Sequence, residues 1–292
     1  MGDTWLLIDC NYLCHRARYT MDELSHNGQP TEIAYGFLSE VLSIQKQFDA
    51  LYPVFCWDMG VSIRRDHYTP YKAQRQETPK NLSEEELGVA KKEARRFRKS
   101  TRDLRVHILP SMGYGNVLMS PRIESDDWIA KAALEISEKH PKDSCVIVTA
   151  DHDMFQCLTE KVSMYDPRTR KETTYHSFVN DYKILPSRWA DVKAYAGCIS
   201  DNVRGVQGIG EKTAIQFLRN KLKPESKKAI AINSRGSKAI HKRNLKLVTL
   251  PWHETPEPNP HKSLPNERQW REGVRNLGMV TLLKIGPYTG VC

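Results

Sequence analysis

Three short apolar runs in this chain, read as strands, are each closed by an aspartate. TWLLIDC at 4–10 reaches Asp9, YPVFCWD at 52–58 reaches Asp58, and SCVIVTAD at 144–151 reaches Asp151. Runs of this length and apolarity suit buried strands, and they alternate with segments of helical period. Residues 31–48 place Ile33, Phe37, Leu38, Val41 and Ile44 on one stripe. Residues 83–99 start with Ser83 as an N-cap followed by acids, and 124–140 give another helix. VHILP at 106–110 reads as a further strand. This alternation predicts an α/β fold with a parallel sheet covered by helices. Ligands of open α/β sheets bind beyond the carboxyl ends of the strands, so Asp9, Asp58 and Asp151 are expected at one edge.

More acids fall near the same edge. Asp153 follows Asp151, and Glu124, Asp126 and Asp127 open a helix in IESDDW. Taken singly, an acid in a first helical turn offsets the helix dipole, and a strand-end Asp caps a turn. Taken together they point to a shared site. Several carboxylates at one place cannot all stay ionised without cations. Hard oxygen donors suit Mg²⁺ or Mn²⁺. Two such ions, about 4 Å apart, can activate a water and stabilise the leaving oxygen in phosphodiester hydrolysis.

Around these acids the protein is basic, with a net charge of +9 over 292 residues. Residues 91–105, KKEARRFRKSTRDLR, form a basic helical stretch, and 219–246 hold ten Lys or Arg against one acid, Glu225. Such one-sided blocks repel themselves unless an anion lies across them, which points to nucleic acid. The seven cysteines are scattered without a CxxC pair, so reduced thiols in a cytoplasmic setting are expected rather than a zinc ribbon or disulfide framework. No apolar stretch reaches 18 residues and no secretory signal opens the chain, so no membrane partner is expected. From about residue 186 the pattern turns helical and basic. The tail after Leu250, with six prolines, reads as loosely organised.

The segment AGCISDNVRGVQGIGEKTAIQFLRN at 196–220 is the most specific signal. Gly205, Gly208 and Gly210 space a loop between two helical stretches, and Lys212 and Thr213 open the second. Glycines let backbone N–H groups approach phosphates, and a helix N-terminus favours them. The pattern resembles a helix–hairpin–helix module that binds DNA without sequence specificity.

The ordered set LLIDCNYLCHR, FCWD with YKAQR downstream, IESDDWIA, VTADHDMFQCL and GCISDNVRGVQGIGEKTA resembles the 5′-nuclease family over about residues 4–250. That family comprises flap endonucleases, bacteriophage 5′-exonucleases and the 5′-nuclease domain of bacterial DNA polymerase; the short phage and bacterial members are the most similar. The resemblance implies a PIN-like α/β catalytic domain over 1–185, with a helical arch at about 65–105. A helix-three-turn-helix module over 186–250 and a C-terminal tail over 251–292 would follow. It implies that Asp9, Asp58, Glu124 and Asp126 hold one metal with Asp127 close by, and that Asp151, Asp153 and Asp201 serve a second. Lys72 and Arg75 of YKAQR would approach the scissile phosphate. Residues 76–104 would form the rest of the arch, and the glycine hairpin would grip the duplex, holding a monovalent ion such as K⁺ as in relatives.

The activity implied is hydrolysis of DNA at or near 5′ ends or 5′ flaps by a monomer, in a bacterial or phage-infected cytoplasm. A polymerase or a single-stranded-DNA-binding protein is the kind of protein partner implied. One position departs from the pattern. Cys198 stands in GCISDN where the family has an Asp, and a neutral thiol is a poor Mg²⁺ ligand. A weaker second site is therefore expected, unless Cys198 simply packs and Asp201 suffices. Two rival readings follow: a DNA-structure-binding protein with weak or no catalysis, and an RNA-directed nuclease of related fold, which the hairpin disfavours.

Overall fold

A computed structural model describes residues 2–21, 24–76 and 83–290. Its centre is a six-stranded sheet built from β1 (Thr4–Asp9), β2 (Ala50–Cys56), β3 (Val117–Leu118), β4 (Ser144–Val148), β5 (Val162–Asp166) and β6 (Lys171–Thr173). The spatial order is β3-β2-β1-β4-β5-β6. All neighbours are parallel except β5 and β6, and Leu7 of β1 lies opposite Val54 of β2 and Ile147 of β4. The α/β expectation from strand–helix alternation is met.

Alternation along β1 divides the core. Leu6 and Ile8 join one buried cluster with Leu13 of α1 (Cys10–Thr20) and with Phe37 and Val41 of α2 (Glu32–Phe48). Trp5 and Leu7 join the cluster on the other face, with residues of two helices that flank the site. Every one of these side chains is almost fully buried, as expected for a parallel sheet covered on both faces. Helix α3 (Glu84–Asp103) starts at Ser83, the N-cap read from the sequence, which the structure shows in a capping box with Glu86, and it buries none of its side chains. It leans on its neighbours through Arg18–Glu93 at 2.8 Å, Arg96–Glu32 at 2.9 Å and His15 stacked on Phe97 at 4.4 Å. Residues 77–82 of the expected arch lie outside the described residues. Helix α4 (Ser125–Lys139) starts within the acidic motif, with Glu124 at its N-cap and Asp126 and Asp127 in its first turn.

The segment 106–110 is not a strand. Helix α3 runs on through a wider turn, Leu104–Ile108, and a short helical piece, Leu109–Ser111. Leu104, Leu109 and Met112 are buried while Val106 is 38% exposed, a helical rather than alternating pattern. Helix continuation overrides the strand preference of the β-branched residues. The strand belonging to the sheet is β3, a few residues later.

Five further helices follow: α5 (Tyr175–Tyr182), which the sequence reading missed; α6 (Trp189–Ala196) and α7 (Glu211–Leu218), the two helical stretches expected on either side of the glycine loop; and α8 (Lys227–Asn233) and α9 (Arg235–Val248), which fall in the part expected to be helical and basic. The tail differs from the loose organisation expected of it. It forms α10 (Glu267–Asn276), whose Trp270 and Val274 are fully buried in the cluster that holds Leu6 and Ile8. The proline-rich stretch before it is tied down: Asn116 exchanges hydrogen bonds of 2.8 and 3.1 Å with the His261 backbone, and Lys262 pairs with Asp143 at 2.9 Å. Proline breaks helical and strand period, so the docking was invisible in the sequence pattern. Among the described residues no helix is long and apolar enough to cross a membrane. Trp270→Ala should lower unfolding free energy by about 3–5 kcal/mol, a full buried aromatic, in urea melts; a loss under about 1 kcal/mol would mean that the tail is dispensable to the core.

Candidate active site

The carboxyl edge of the sheet gathers the acids. Asp9 is the last residue of β1 and caps α1, accepting from the Tyr12 N–H at 3.1 Å. Asp58 lies two residues past the end of β2, and Asp151 three past β4, so both sit in connecting loops rather than in the strands. Ser125, at the start of α4, joins the first two: its N–H donates to Asp58 at 2.7 Å and its hydroxyl to Asp9 at 3.3 Å. Thr149 joins Asp9 to the next loop, donating to Asp9 at 3.0 Å and accepting from the Asp151 N–H at 3.2 Å. Asp151 in turn accepts from the Asp153 N–H at 2.8 Å. Glu124 accepts from Ser62 at 2.8 Å and from Arg64 and Tyr71, both at 3.0 Å. Tyr71 also donates to Asp201 at 3.2 Å. A continuous chain of hydrogen bonds therefore links Asp58, Asp9, Asp151 and Asp153, and another links Glu124 to Asp201.

Electrostatics shows the strain of this arrangement. Burial first, and Asp58 next, push the Asp9 carboxyl up to about 7. Burial, then Asp151 and Asp9, raise Asp126 well above the usual range, and Asp126 has no hydrogen-bond donor among the described residues. Burial and Asp151 push Asp153 up to about 6. Burial also raises Asp201, against the opposing pull of Lys72. Glu124 goes the other way: burial disfavours its charge, but Lys72 and Arg64 outweigh that and hold it below the usual range. Like charges that raise one another are relieved when a cation binds between them. The oxygen donors and their mutual repulsion fit hard divalent ions.

Lys72 and Arg75 are brought to this edge. The Lys72 ammonium contacts Glu124 and lies 3.6 Å from Asp201, while Arg75 reaches Asp201 at 3.2 Å from a half-exposed position. Lys72 has φ of +49°, and its N–H donates to the Asp201 carbonyl at 2.8 Å. The YKAQR segment is thus fastened to the loop that carries Asp201. Cys198 is 5% exposed, and Asp153, Cys198 and Asp201 offer ligand atoms all within 4.8 Å of one another. The thiol sits 2.9 Å from the Ser200 hydroxyl, and burial pushes it up to about 12, so it is neutral. It both belongs to the acidic cluster and packs with Tyr71, Val203 and Leu247.

Three expected site residues turn elsewhere. Asp127 is fully buried, and its two oxygens are held by Arg64 at 2.6 and 2.7 Å and by the Trp252 N–H at 2.7 Å, so both are already occupied within the protein. Gly205 packs inside the protein: a Cβ there would come within 2.2 Å of the Ala196 backbone. Thr213 is 6% exposed, and its hydroxyl accepts from Lys228 at 3.3 Å. By contrast Gly208 (φ +74°) and Gly210 have open space where a side chain would be, and Lys212 is exposed. The face available to a phosphate is therefore Gly208–Lys212, not the whole glycine set.

Sequence reasoning missed Arg64 and Lys193. Arg64 is 1% exposed and binds Asp127 and Glu124 together. Lys193 on α6 lies 2.9 Å from Asp153 and 3.1 Å from Glu211. Its only sequence signal is a lone lysine in an otherwise apolar helical face, WADVKAYA.

Residues 4–183 match the family model of the 5′-3′ exonuclease N-terminal, resolvase-like domain. The chain belongs to this family. It is 30% identical over 213 residues to the thermostable DNA polymerase I of Thermus filiformis, covering 73% of this chain and 23% of the polymerase. It is 31% identical over 201 residues to a 5′-3′ exonuclease of Bacillus subtilis, covering 67% of this chain and 61% of that protein. The match therefore spans less than two thirds of either relative. Among solved structures, its fold is similar to bacteriophage T5 5′-exonuclease with zinc bound (TM-score 0.69, 23% identity, 97% of this chain and 96% of that one). It is also similar to a T5 flap endonuclease complex with DNA and metal ions (TM-score 0.67, 22% identity, the same coverage).

The raised carboxyls set a pH dependence. Between the unfolded value of 3.8 and about 7, the folded protein keeps a proton on Asp9 that the unfolded chain has released. Stability of the metal-free protein should therefore fall as pH rises through that window, with Asp153 adding in its lower part. Mg²⁺ should raise the melting temperature more at about pH 8 than at about pH 5 in calorimetry. Equal shifts at both would contradict a cation held by these acids.

Proposed function

We propose that this protein is a structure-selective 5′-nuclease that hydrolyses DNA phosphodiesters at or near 5′ ends, with Mg²⁺ or Mn²⁺ as its cations. The observation that carries this reading is the set of acids at the sheet's carboxyl edge, raised by one another, with Lys72 and Arg75 at their border. Asp9, Asp58, Glu124 and Asp126 would hold one ion, and Asp151, Asp153 and Asp201 would serve a second. When bound, such ions supply activation of the attacking water and relief of charge on the phosphoryl oxygens. Ser125, Thr149 and Tyr71 orient the carboxylates, since each donates to one or more of them. Lys72 and Arg75 offer their charges to the phosphate being cut, where a positioned cation lowers the barrier most.

The DNA grip of this reading is the Gly208–Lys212 face and the basic block that follows it. Contacts to phosphates carry little sequence information, so selectivity rests on DNA structure. Open backbone at Gly208 and Gly210 also leaves room for a K⁺ ion beside a phosphate, as part of the same proposal. A monomer acting beside a polymerase or a single-stranded-DNA-binding protein completes it.

A second reading, a DNA-structure binder with weak catalysis, draws on one observation: the neutral Cys198 thiol stands among the acids of the second site. A 5′-flap cleavage assay separates the two. The wild type should cut in Mg²⁺ or Mn²⁺, and Asp126→Asn should lose at least ~100-fold in rate while still binding the DNA. Binding without cleavage by the wild type in either metal would leave only the second reading. Cys198→Asp should lower the Mg²⁺ concentration needed for half-maximal cleavage; an unchanged metal dependence would show that Cys198 only packs.

A further inference from the structure

Away from the acids, a cavity of about 770 Å³ opens between α9 and the segment that follows it. His67 and His253, both exposed and packed on the buried Trp252, supply aromatic walls, and Lys242, Arg243 and Lys246 line it with positive charge. The spacing 239, 242, 243, 246 puts Ala239 and the three cations on one face of α9. The rings are in mutual contact, with His67 at 5.1 Å and His253 at 4.6 Å from Trp252. Arg243 is fixed: its guanidinium lies 4.8 Å over the Tyr68 ring and donates to the Arg204 carbonyl at 3.0 Å. Lys242 and Lys246 are exposed and carry no ion pair among the described residues. Among the described residues no acid lines the cavity; the Glu254 carboxylate, not one of its lining groups, meets His253 at 3.3 Å.

We propose that this cavity binds an unpaired nucleotide of the DNA substrate. The inference rests on the nuclease reading and adds a subsite to it. An aromatic, largely apolar interior that also carries cations matches the two halves of a nucleotide, a flat base and an anionic phosphate. A base paired inside a duplex has no free face to offer such walls, so the occupant is unpaired. The cavity is also joined to the acids. Arg64 lies 5.1 Å over the Trp252 ring, donates to the Leu247 carbonyl at 2.8 Å and binds Glu124. A nucleotide seated there would stand one side-chain layer behind the reactive edge, on the helix that ends the basic block.

The test uses the full chain carrying Asp126→Asn, so that bound DNA is not cut. Fluorescence anisotropy compares three labelled DNAs: a blunt duplex, and the same duplex with a short single-stranded extension on the 5′ or on the 3′ end. One extension should bind about tenfold tighter than the blunt duplex, and which of the two does so identifies the source of the nucleotide. His253→Glu and Lys246→Glu should each bring the extended-to-blunt ratio close to one. Lys227→Glu, in the same basic block but outside the cavity, should weaken all DNAs and keep the ratio. A 5-iodouracil placed in the preferred extension should crosslink to the peptide containing Trp252 and His253. Equal binding of all three DNAs, or crosslinks only elsewhere, would overturn the subsite and leave the nuclease reading standing. Failure of the wild type to cut any of these DNAs would overturn that reading and the subsite with it.

Discussion

The structure is organised around carboxylates that repel one another. Burial and proximity push Asp9 and Asp153 far from their ordinary values and raise Asp126 well above its own. A fold tolerates this only where the backbone is held firmly, and here the hydrogen bonds of Ser125, Thr149 and the Asp153 N–H do the holding. The central strand fixes Asp9, while short loops carry Asp58 and Asp151 a few residues past their strands. Such a cluster costs stability in the metal-free protein. Sites that depart from the most stable arrangement in this way are commonly those that do chemistry.

Arg64 settles how that edge is divided. It takes Asp127 and part of Glu124 into a buried pairing, with Trp252 against its guanidinium. Two neighbouring acids in one helical turn therefore have opposite duties: Asp126 stays in the cluster and Asp127 braces the helix from behind. Removing one partner of a buried pair strands the other, which typically costs about 3–5 kcal/mol. Arg64 is thus a structural support for Glu124 as much as a charge.

Much of this was legible in the sequence. Apolar runs followed by Asp9, Asp58 and Asp151 are a local signal, and a parallel sheet turns that local signal into a shared edge. Ser83 with Glu86, and the helix at Ile33 to Ile44, follow from period and capping chemistry that need no tertiary information. The failures are tertiary. Val106 and Ile108 favour a strand by type, yet the preceding helix continues through them to bury Leu104 and Leu109. Asp127 and Asp126 are indistinguishable in IESDDW until Arg64 arrives from 63 residues earlier in the chain. Gly205 and Gly208 read alike, although one lies against the Ala196 backbone and the other faces open space. Lys193 and Trp270 carry no motif at all, because their roles come from what folds against them.

The proline-rich strap has a consequence for the whole molecule. Lys262 joins Asp3, just before β1, to Asp143, just before β4, and Asn116 just before β3 is held by His261. The strap therefore crosses the amino ends of the strands, and the acids sit at the opposite, carboxyl ends. The sheet acts as a plank between two ends with separate tasks. One end is fastened by the last part of the chain, and the other is left open to carry charge. Changes to the fastening can tune how firmly the protein holds together without altering a single group at the end where the acids lie.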